Sequence, residues 1–517
     1  MVGVRVGIFG EAAIDACPRC IDWRWTRRWT RSPMRGAISI ANGWTMDNRN
    51  DVWRAVDAHK DELIALADRV WAMPEVCYTE HRSAGEHRAE LERQGFRVTT
   101  GVAGIPTAVI GEAGEGGPVI ALLGEYDALP GLSQEAGVAQ HREIEPGGHG
   151  HGCGHNLLGA GALLAATALK DWLAASGLPG RVRYYGCPAE EGGAAKAFMV
   201  RAGAFADVDI AISWHPHSFW EVTPPLSLAN TRADFIFTGR SSHAAVSPHL
   251  GRSALDAVEL MNVGVNYMRE HMPSDARVHY ALLDTGGIAP NVVQAHARVR
   301  YSIRALELAD MQALVARVWK IAEGAALMTE TQVEMRIISA VSNVLGNAPL
   351  EAAMQEVLEE LGPPHFDEAD KAFARDIRAT LTGGDIAALW EQIGLEDTGA
   401  ELADFTVPAN VSRKPMIGST DVGDVSWVAP TVQAHAPTVA IGTPFHTWQV
   451  VAQGKTPAAH KGMVQVAKAM ATIGARAFAD PAFIAAAKAD HARRTARTPY
   501  VCPIPDDVPP PLTMSTG

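Results

Sequence analysis

Apolar residues recur at helical spacing over residues 52–71, which predicts the first amphipathic helix of the chain. Beyond it, short apolar runs alternate with longer helical stretches. Residues 118–123 read as a buried strand, 156–175 as a helix, 181–187 as a strand and 210–214 as another. This alternation predicts an α/β domain built on a mostly parallel, mixed sheet. Each strand runs into a polar cluster. Because open α/β sheets gather ligands at the carboxyl ends of their strands, Glu125 with Asp127, Glu190 with Glu191, and His215 are expected to converge.

From Pro225 the pattern changes. It predicts strands at 234–238, 278–283, 297–303 and 333–339, with helices at 253–270 and 309–326. That β-α-β-β-α-β order implies an inserted ferredoxin-like α+β domain over 225–345. The larger domain is then discontinuous, over 46–224 and 346–500, with helical elaboration at 362–414 and a last helix at 460–477. The Pro-rich tail, 501–517, reads as frayed beyond Pro503.

Residues 1–45 stand apart. Arg24, Arg27, Arg28, Arg31 and Arg35 interleave with Trp23, Trp25 and Trp29, without the apolar core of a secretory signal. Cys17-Pro18-Arg19-Cys20 lacks the second cysteine pair of a zinc motif. The segment reads as an extension outside the fold, with Met46 as the working start.

Composition narrows the function classes. The chain has 517 residues, 47% of them hydrophobic, and a formal charge of -13, which disfavours a nucleic-acid partner. Its longest apolar stretch, 157–169, is rich in Ala and Gly and ends at Lys170-Asp171, so it reads as a core helix rather than a membrane span. Six scattered cysteines make no disulfide framework and point to a reducing cytoplasm.

Five segments carry chemistry. In His149-Gly150-His151-Gly152-Cys153-Gly154-His155-Asn156, histidines and a cysteine crowd a glycine-rich turn before a helix. Thiolate and imidazole are good ligands for zinc and its neighbours; the bland alternatives are a polar loop, or a helix N-terminus that lowers the Cys153 pKa. In Pro188-Ala189-Glu190-Glu191-Gly192-Gly193, adjacent carboxylates at a strand end leave the backbone on different sides, so one can hold metal while the other faces water. A solvated helix start is the alternative. Trp214-His215-Pro216-His217 offers one imidazole at the same sheet edge, although a single such histidine is more often a hydrogen-bonded structural residue, and Phe445-His446-Thr447 offers another far along the chain. Glu125-Tyr126-Asp127 supplies carboxylates able to fix the tautomer of a ligand imidazole.

Together Asp127-Ala128-Leu129-Pro130, Gly152-Cys153-Gly154-His155-Asn156, Pro188-Ala189-Glu190-Glu191-Gly192-Gly193 and Gly287-Ile288-Ala289-Pro290-Asn291-Val292-Val293 resemble the motif series of the metallopeptidase family of aminoacylases, carboxypeptidase G and auxin-conjugate hydrolases. Within it, the phrases around Glu125, Asp421 and His446 are most similar to the group of B-type subunits of p-aminobenzoyl-glutamate hydrolase. The resemblance implies a metallo-exopeptidase domain with an inserted lid or dimerisation domain. It implies two divalent ions, zinc or manganese, held by Cys153, His155, Glu191, His215 and His446, with Cys153 bridging and Glu190 as general base. The family's H-x-D histidine is absent, since the corresponding stretch is Gly124-Glu125-Tyr126, and His155 takes its place. His243 and Asn291 are implied as oxyanion donors, delivered from the inserted domain across a dimer interface. Arg304 stands as a partner for a substrate carboxylate or as a structural ion pair.

The activity so implied is non-covalent hydrolysis of an aroyl- or acyl-amino acid amide, best p-aminobenzoyl-glutamate, in folate-fragment breakdown. The alternatives are a broader N-acyl amino acid or dipeptide hydrolase, an aromatic-amine deaminase and a non-catalytic partner subunit. The implied partner is a second copy or a related subunit, with no nucleic acid and no membrane.

Overall fold

The computed structural model describes residues 46–411 and 418–515. The N-terminal extension, with Cys17, Cys20 and the Arg/Trp run, lies outside the described residues, as do 412–414 of the expected helical elaboration.

The chain opens with helices α1 (Met46–Trp71) and α2 (His81–Arg93), then strands β1 (Arg97–Thr100), β2 (Val109–Glu115) and β3 (Val119–Glu125). Helix α3 (His155–Ser176), β4 (Gly180–Cys187), α4 (Ala195–Arg201), β5 (Ile210–His217) and β6 (Glu221–Val222) follow. The next stretch runs β7 (Ala229–Thr238), α5 (Ala254–Met268), β8 (Arg277–Asp284), β9 (His296–Ala305), α6 (Leu308–Thr329) and β10 (Gln332–Val341). It returns through α7 (Ala348–Leu361), α8 (Glu368–Arg378), α9 (Gly383–Ile393), α10 (Val422–Val428), β11 (Thr431–Pro437), α11 (Trp448–Gln453), α12 (Pro457–Ala479) and α13 (Pro481–Thr495).

Two sheets result. The larger has the order β1-β2-β4-β3-β5-β11-β6. Its four central strands are parallel, while β1, β2 and β6 are antiparallel additions at the edges. The fold class read from the sequence is thus observed: a mixed sheet with a parallel centre. Helices α1, α3 and α12 pack on one face, burying Leu157, Leu163, Trp214 and Met463, and α4 with α10 covers the other. Helix α3 is long and apolar enough to cross a membrane by composition, but 83% of its apolar window is buried within the fold, as expected of a core helix.

The smaller sheet, β10-β7-β9-β8, is wholly antiparallel and follows the β-α-β-β-α-β order. Strict alternation along β9 sends Ala297, Val299, Tyr301 and Ile303 into a core with Met261 and Met311 of α5 and α6. The opposite face is polar. The C-terminal segment corrects the reading of a frayed tail: Ile504 is buried, and Arg201 of α4 donates to the Pro505 carbonyl and, at 2.8 Å, to the Val508 carbonyl. A run of prolines has little backbone freedom to lose, so two anchors suffice to lay it down.

Candidate active site

The carboxyl ends of β3, β4 and β5 come together, as parallel neighbours must. Glu125 ends β3 and Asp127 stands just beyond it, Glu190 and Glu191 lie beyond β4, and His215 is near the end of β5. Cys153 and His155 arrive from the turn that starts α3. His446 joins from the loop before α11, where its N–H donates to the Gly152 carbonyl at 2.9 Å.

Donor atoms of Cys153, His155 and His215 lie within 4.8 Å of one another, and so do those of Cys153, Glu191 and His446. The two sets share one atom, the Cys153 sulfur. Cys153 Sγ is 3.5 Å from His215 Nε2, and His446 Nε2 is 3.3 Å from Glu191 Oε2. His215 Nδ1 faces the Pro216 carbonyl at 2.7 Å, an acceptor only, so Nδ1 carries the proton and Nε2 keeps its lone pair toward the sulfur. Burial, then His155 and His435, hold this imidazole neutral, the form a metal needs.

His155 is fully buried between two carboxylates. Its Nδ1 meets Asp127 Oδ1 at 2.9 Å, and its Nε2 lies 3.2 Å from Glu125 Oε2, not aligned for a hydrogen bond. Burial opposes its charge, yet Asp127 raises its proton affinity well above the ordinary value. Asp127 also accepts from the Glu191 N–H at 2.9 Å, so one carboxylate orients two donors. Burial pushes the Cys153 thiol up, with Glu191 adding to it.

Two buried atoms here have no hydrogen-bond partner among the described residues, His155 Nε2 and Glu191 Oε1, one in each set. Orphaned polar atoms of this kind are the signature of an ion or water between them. The donors, one thiolate, one carboxylate and three imidazoles, suit divalent ions, so the residues fit a metal pair.

Glu190 groups with Glu125 and His155. Burial raises its pKa well above that of an ordinary glutamate, and Glu125, Asp421 and Glu191 add to the rise while His155 opposes it. The loop is held in strained backbone. Ala189 and Tyr78 both adopt positive φ, and buried Glu80 accepts from both their N–H groups, at 2.9 and 2.8 Å.

Sequence reasoning missed Glu80, and it missed Lys196. Lys196 is fully buried and donates to Glu125 Oε1 at 2.5 Å and to Asp421 Oδ1 at 2.6 Å. Burial opposes its charge, but Asp421 and Glu125 hold it protonated. Asp421 had a signal, since the Gly418 to Ser426 phrase stood out without a role; Lys196 had none.

The remaining candidates sit elsewhere. His243 and Asn291 are exposed neighbours on the smaller sheet's loops, joined where the Ala244 N–H donates to the Asn291 carbonyl at 3.0 Å. Among the described residues, no hydrogen bond or ion pair links them to the Cys153 cluster. Arg304 lies on β9, its Nε donating to Ser302 Oγ at 3.3 Å. His151 turns away to the Val70 carbonyl at 3.1 Å, and His149 is exposed. A further buried group, His217, Glu221 and His435, has donor atoms close together. It makes a poor metal site: the His217 and His435 rings stack at 4.2 Å with planes 14° apart. An ion bound to both nitrogens must lie in both ring planes, and nearly parallel stacked planes do not meet nearby.

The model of Peptidase family M20/M25/M40 matches residues 121–400, more than half of the chain. The B-type subunit of p-aminobenzoyl-glutamate hydrolase from Escherichia coli (strain K12) is 49% identical over 467 residues, covering 88% of this chain and 97% of that protein. The Xaa-Arg dipeptidase of Mus musculus is 29% identical over 444 residues, 83% of this chain and 88% of its own. Among solved structures, a dinuclear metal-binding peptidase of the M20 family from Bacillus subtilis aligns with a TM-score of 0.52 at 18% identity, covering 82% of this chain and 99% of that one. At that identity the likeness speaks to fold.

Proposed function

Because the chain belongs to peptidase family M20/M25/M40 and is a metal-dependent amidohydrolase, we propose that it cleaves the amide bond of an aroyl- or acyl-amino acid, p-aminobenzoyl-glutamate first among them. One observation carries the mechanism: two donor sets share the Cys153 sulfur, and Glu190 groups with His155, a member of the first. Cys153, His155 and His215 would hold one divalent ion, and Cys153, Glu191 and His446 the other, zinc or manganese. The chemistry such ions supply is Lewis acidity toward the amide carbonyl and toward water.

Glu190 does the proton work. Its raised proton affinity suits a group that takes a proton from the attacking water and gives it to the leaving nitrogen. Water oxygen bonds to the carbonyl carbon, the C–N bond breaks, and the products are a carboxylic acid and an amine. No covalent enzyme intermediate is needed. Asp127 and Glu125 hold His155 in place throughout.

His243 and Asn291 are the proposed oxyanion donors, delivered by a second copy or a related subunit. Their exposure supports this, as does the likeness to one subunit of an Escherichia coli hydrolase. So does the surface around them: β8 is an edge strand, and Tyr280, Leu282 and Leu283 on it are exposed, with Val263 and Tyr267 of α5.

The test is to incubate the metal-loaded chain with p-aminobenzoyl-glutamate beside a panel of N-acyl amino acids and dipeptides, following free amine by mass spectrometry. Preferential release of p-aminobenzoate supports the first substrate. Cleavage of dipeptides alone would move the assignment toward the dipeptidase relative. Glu190→Gln should keep its metal and lose about 100-fold or more in kcat.

A further inference from the structure

The buried group of His217, Glu221 and His435, a poor metal site, follows from strand register. In the larger sheet His435 of β11 pairs with His215 of β5 on one side and with Glu221 of β6 on the other. His217, two residues beyond His215 on the same strand, points to the same face of the sheet. His435 Nδ1 lies 2.8 Å from Glu221 Oε1, which fixes the turn of its ring. The His217 ring stacks on that of His435, with centroids 4.2 Å apart. Phe445 lies nearly parallel to His217 in turn, at 6.0 Å with planes 15° apart. Three rings are thus held in one stack. Two of them, His217 and His435, are buried, while Phe445 is half-buried, so Phe445 is the ring with surface left to offer.

That ring stands beside both donor sets. Its centroid is 5.7 Å from that of His215, tilted by 56°. The next residue is His446, which adopts a φ of 62° and is tied by its N–H to the Gly152 carbonyl. A histidine keeps such a conformation only where its surroundings impose it. The turn that brings the His446 imidazole to Glu191 therefore also sets the Phe445 ring against His215. A substrate whose carbonyl carbon meets these donors has two arms. The amino-acid arm carries carboxylate and gains nothing from an apolar ring near the Glu191 carboxylate. An aroyl arm is flat and apolar, and its ring is bonded directly to the reacting carbon, so it must lie close to the donors. Aromatic rings gain from offset-stacked or edge-to-face contact.

We propose that Phe445 is the platform for the aromatic ring of the substrate's acyl part, with His217 and His435 as the positioning residues that hold it. The inference rests on the amidohydrolase reading above and deepens it: the platform selects aroyl over aliphatic acyl groups among the amides that the metal residues can cleave.

The experiment compares kcat/KM for p-aminobenzoyl-glutamate with that for acetyl-glutamate, which has the same leaving amino acid and no ring. Wild type should favour the aroyl substrate, and Phe445→Leu, which keeps apolar bulk without the ring, should lower that ratio about 10-fold. Phe445→Trp should hold it, since it keeps an aromatic face. His217→Ala should lower the ratio as well, and His217→Phe, which puts a ring back in the stack, should recover it. A ratio unchanged in Phe445→Leu overturns the proposal, and so does an equal loss on both substrates, which marks a merely structural role. A wild-type ratio in His217→Ala overturns the positioning role of the stack. Calorimetric binding of both compounds to the metal-loaded Glu190→Gln chain, with and without Phe445→Leu, separates the platform from the activity. A preference for the aroyl compound that depends on Phe445, with no hydrolysis of either by wild type, keeps the platform and removes the activity. Hydrolysis of both, with no dependence on Phe445, keeps the activity and removes the platform.

Discussion

Replacing Lys196 with methionine tests the least visible part of the site. The ammonium is fully buried and bridges two buried carboxylates, at 2.5 Å to Glu125 and 2.6 Å to Asp421. Methionine fills nearly the same volume, so the change removes charge and hydrogen bonds without opening a large cavity. Breaking one partner out of a buried pair costs about 3–5 kcal/mol, because the charge left behind has no compensation. Here two carboxylates lose their partner, and Lys196→Met should cost about 5 kcal/mol in urea unfolding. Adding Asp421→Asn removes one stranded charge and should return about 2 kcal/mol. The site should register the change too: Glu125, released from Lys196, no longer holds a fixed place beside His155, so metal retained after dialysis should fall below wild type. A cost under about 1 kcal/mol, or no recovery in the double variant, would refute the claim that this trio is an energetically coupled ion pair network.

Three other expectations follow from the same geometry. Cys153→Ala should lose both metal equivalents rather than one when dialysed protein is assayed by plasma mass spectrometry, because both donor sets use the same sulfur. Mixing inactive His243→Ala and Glu190→Gln chains should restore about one quarter of wild-type activity if the oxyanion donors cross an interface, since half the dimers are mixed and each has one complete site; no recovery would place His243 in its own chain's site. Asp424 is held protonated up to about 7 by burial, against an ordinary value of 3.8. The fold therefore binds a proton that the unfolded chain has released, and that contribution is complete below about pH 4 and lost as pH rises through 7. Asp424→Asn, which does not titrate, should gain stability relative to wild type between about pH 5 and pH 8, by at most about 4 kcal/mol, and a difference independent of pH would contradict the assignment.

Much of the fold was legible because its signals are local. Strand β9 alternates strictly, α3 is apolar all round, and the smaller domain's element order is complete in the sequence. Strands β1 and β2 were not legible: β1 has four residues and pairs only with β2, and the other partner of β2, β4, lies far along the chain. The metal residues could be proposed because cysteine, histidine and paired glutamates at strand ends are rare combinations with few other uses. Lys196 and Glu80 could not. A buried lysine at the start of a helix looks like any solvated helix start until Asp421, more than two hundred residues away, is seen against it.

The same long-range pairing explains why the Gly418 to Ser426 phrase is there. Helix α10 begins directly after Asp421, whose carboxylate accepts from both the backbone and the side chain of Lys196. Along the helix, Asp424 accepts from the N–H and hydroxyl of Ser342, Ser426 accepts from the Leu345 N–H at 2.8 Å, and Trp427 donates to the Asn343 carbonyl at 2.8 Å. Residues 342–345 are the chain's return from the four-stranded sheet to the larger one. Gly423 lies flat on that return; an added Cβ would meet the Ser342 carbonyl oxygen at 1.9 Å. One short helix thus grips the crossing with three side chains and, through the residue before it, the Lys196 ammonium that holds Glu125 beside His155. The crossing from the four-stranded sheet and the Lys196 bridge are thus tied to one seven-residue helix and the residue before it. That is a physical reason for a phrase of small and acidic residues, with no ligand of its own, to sit in a site of this kind.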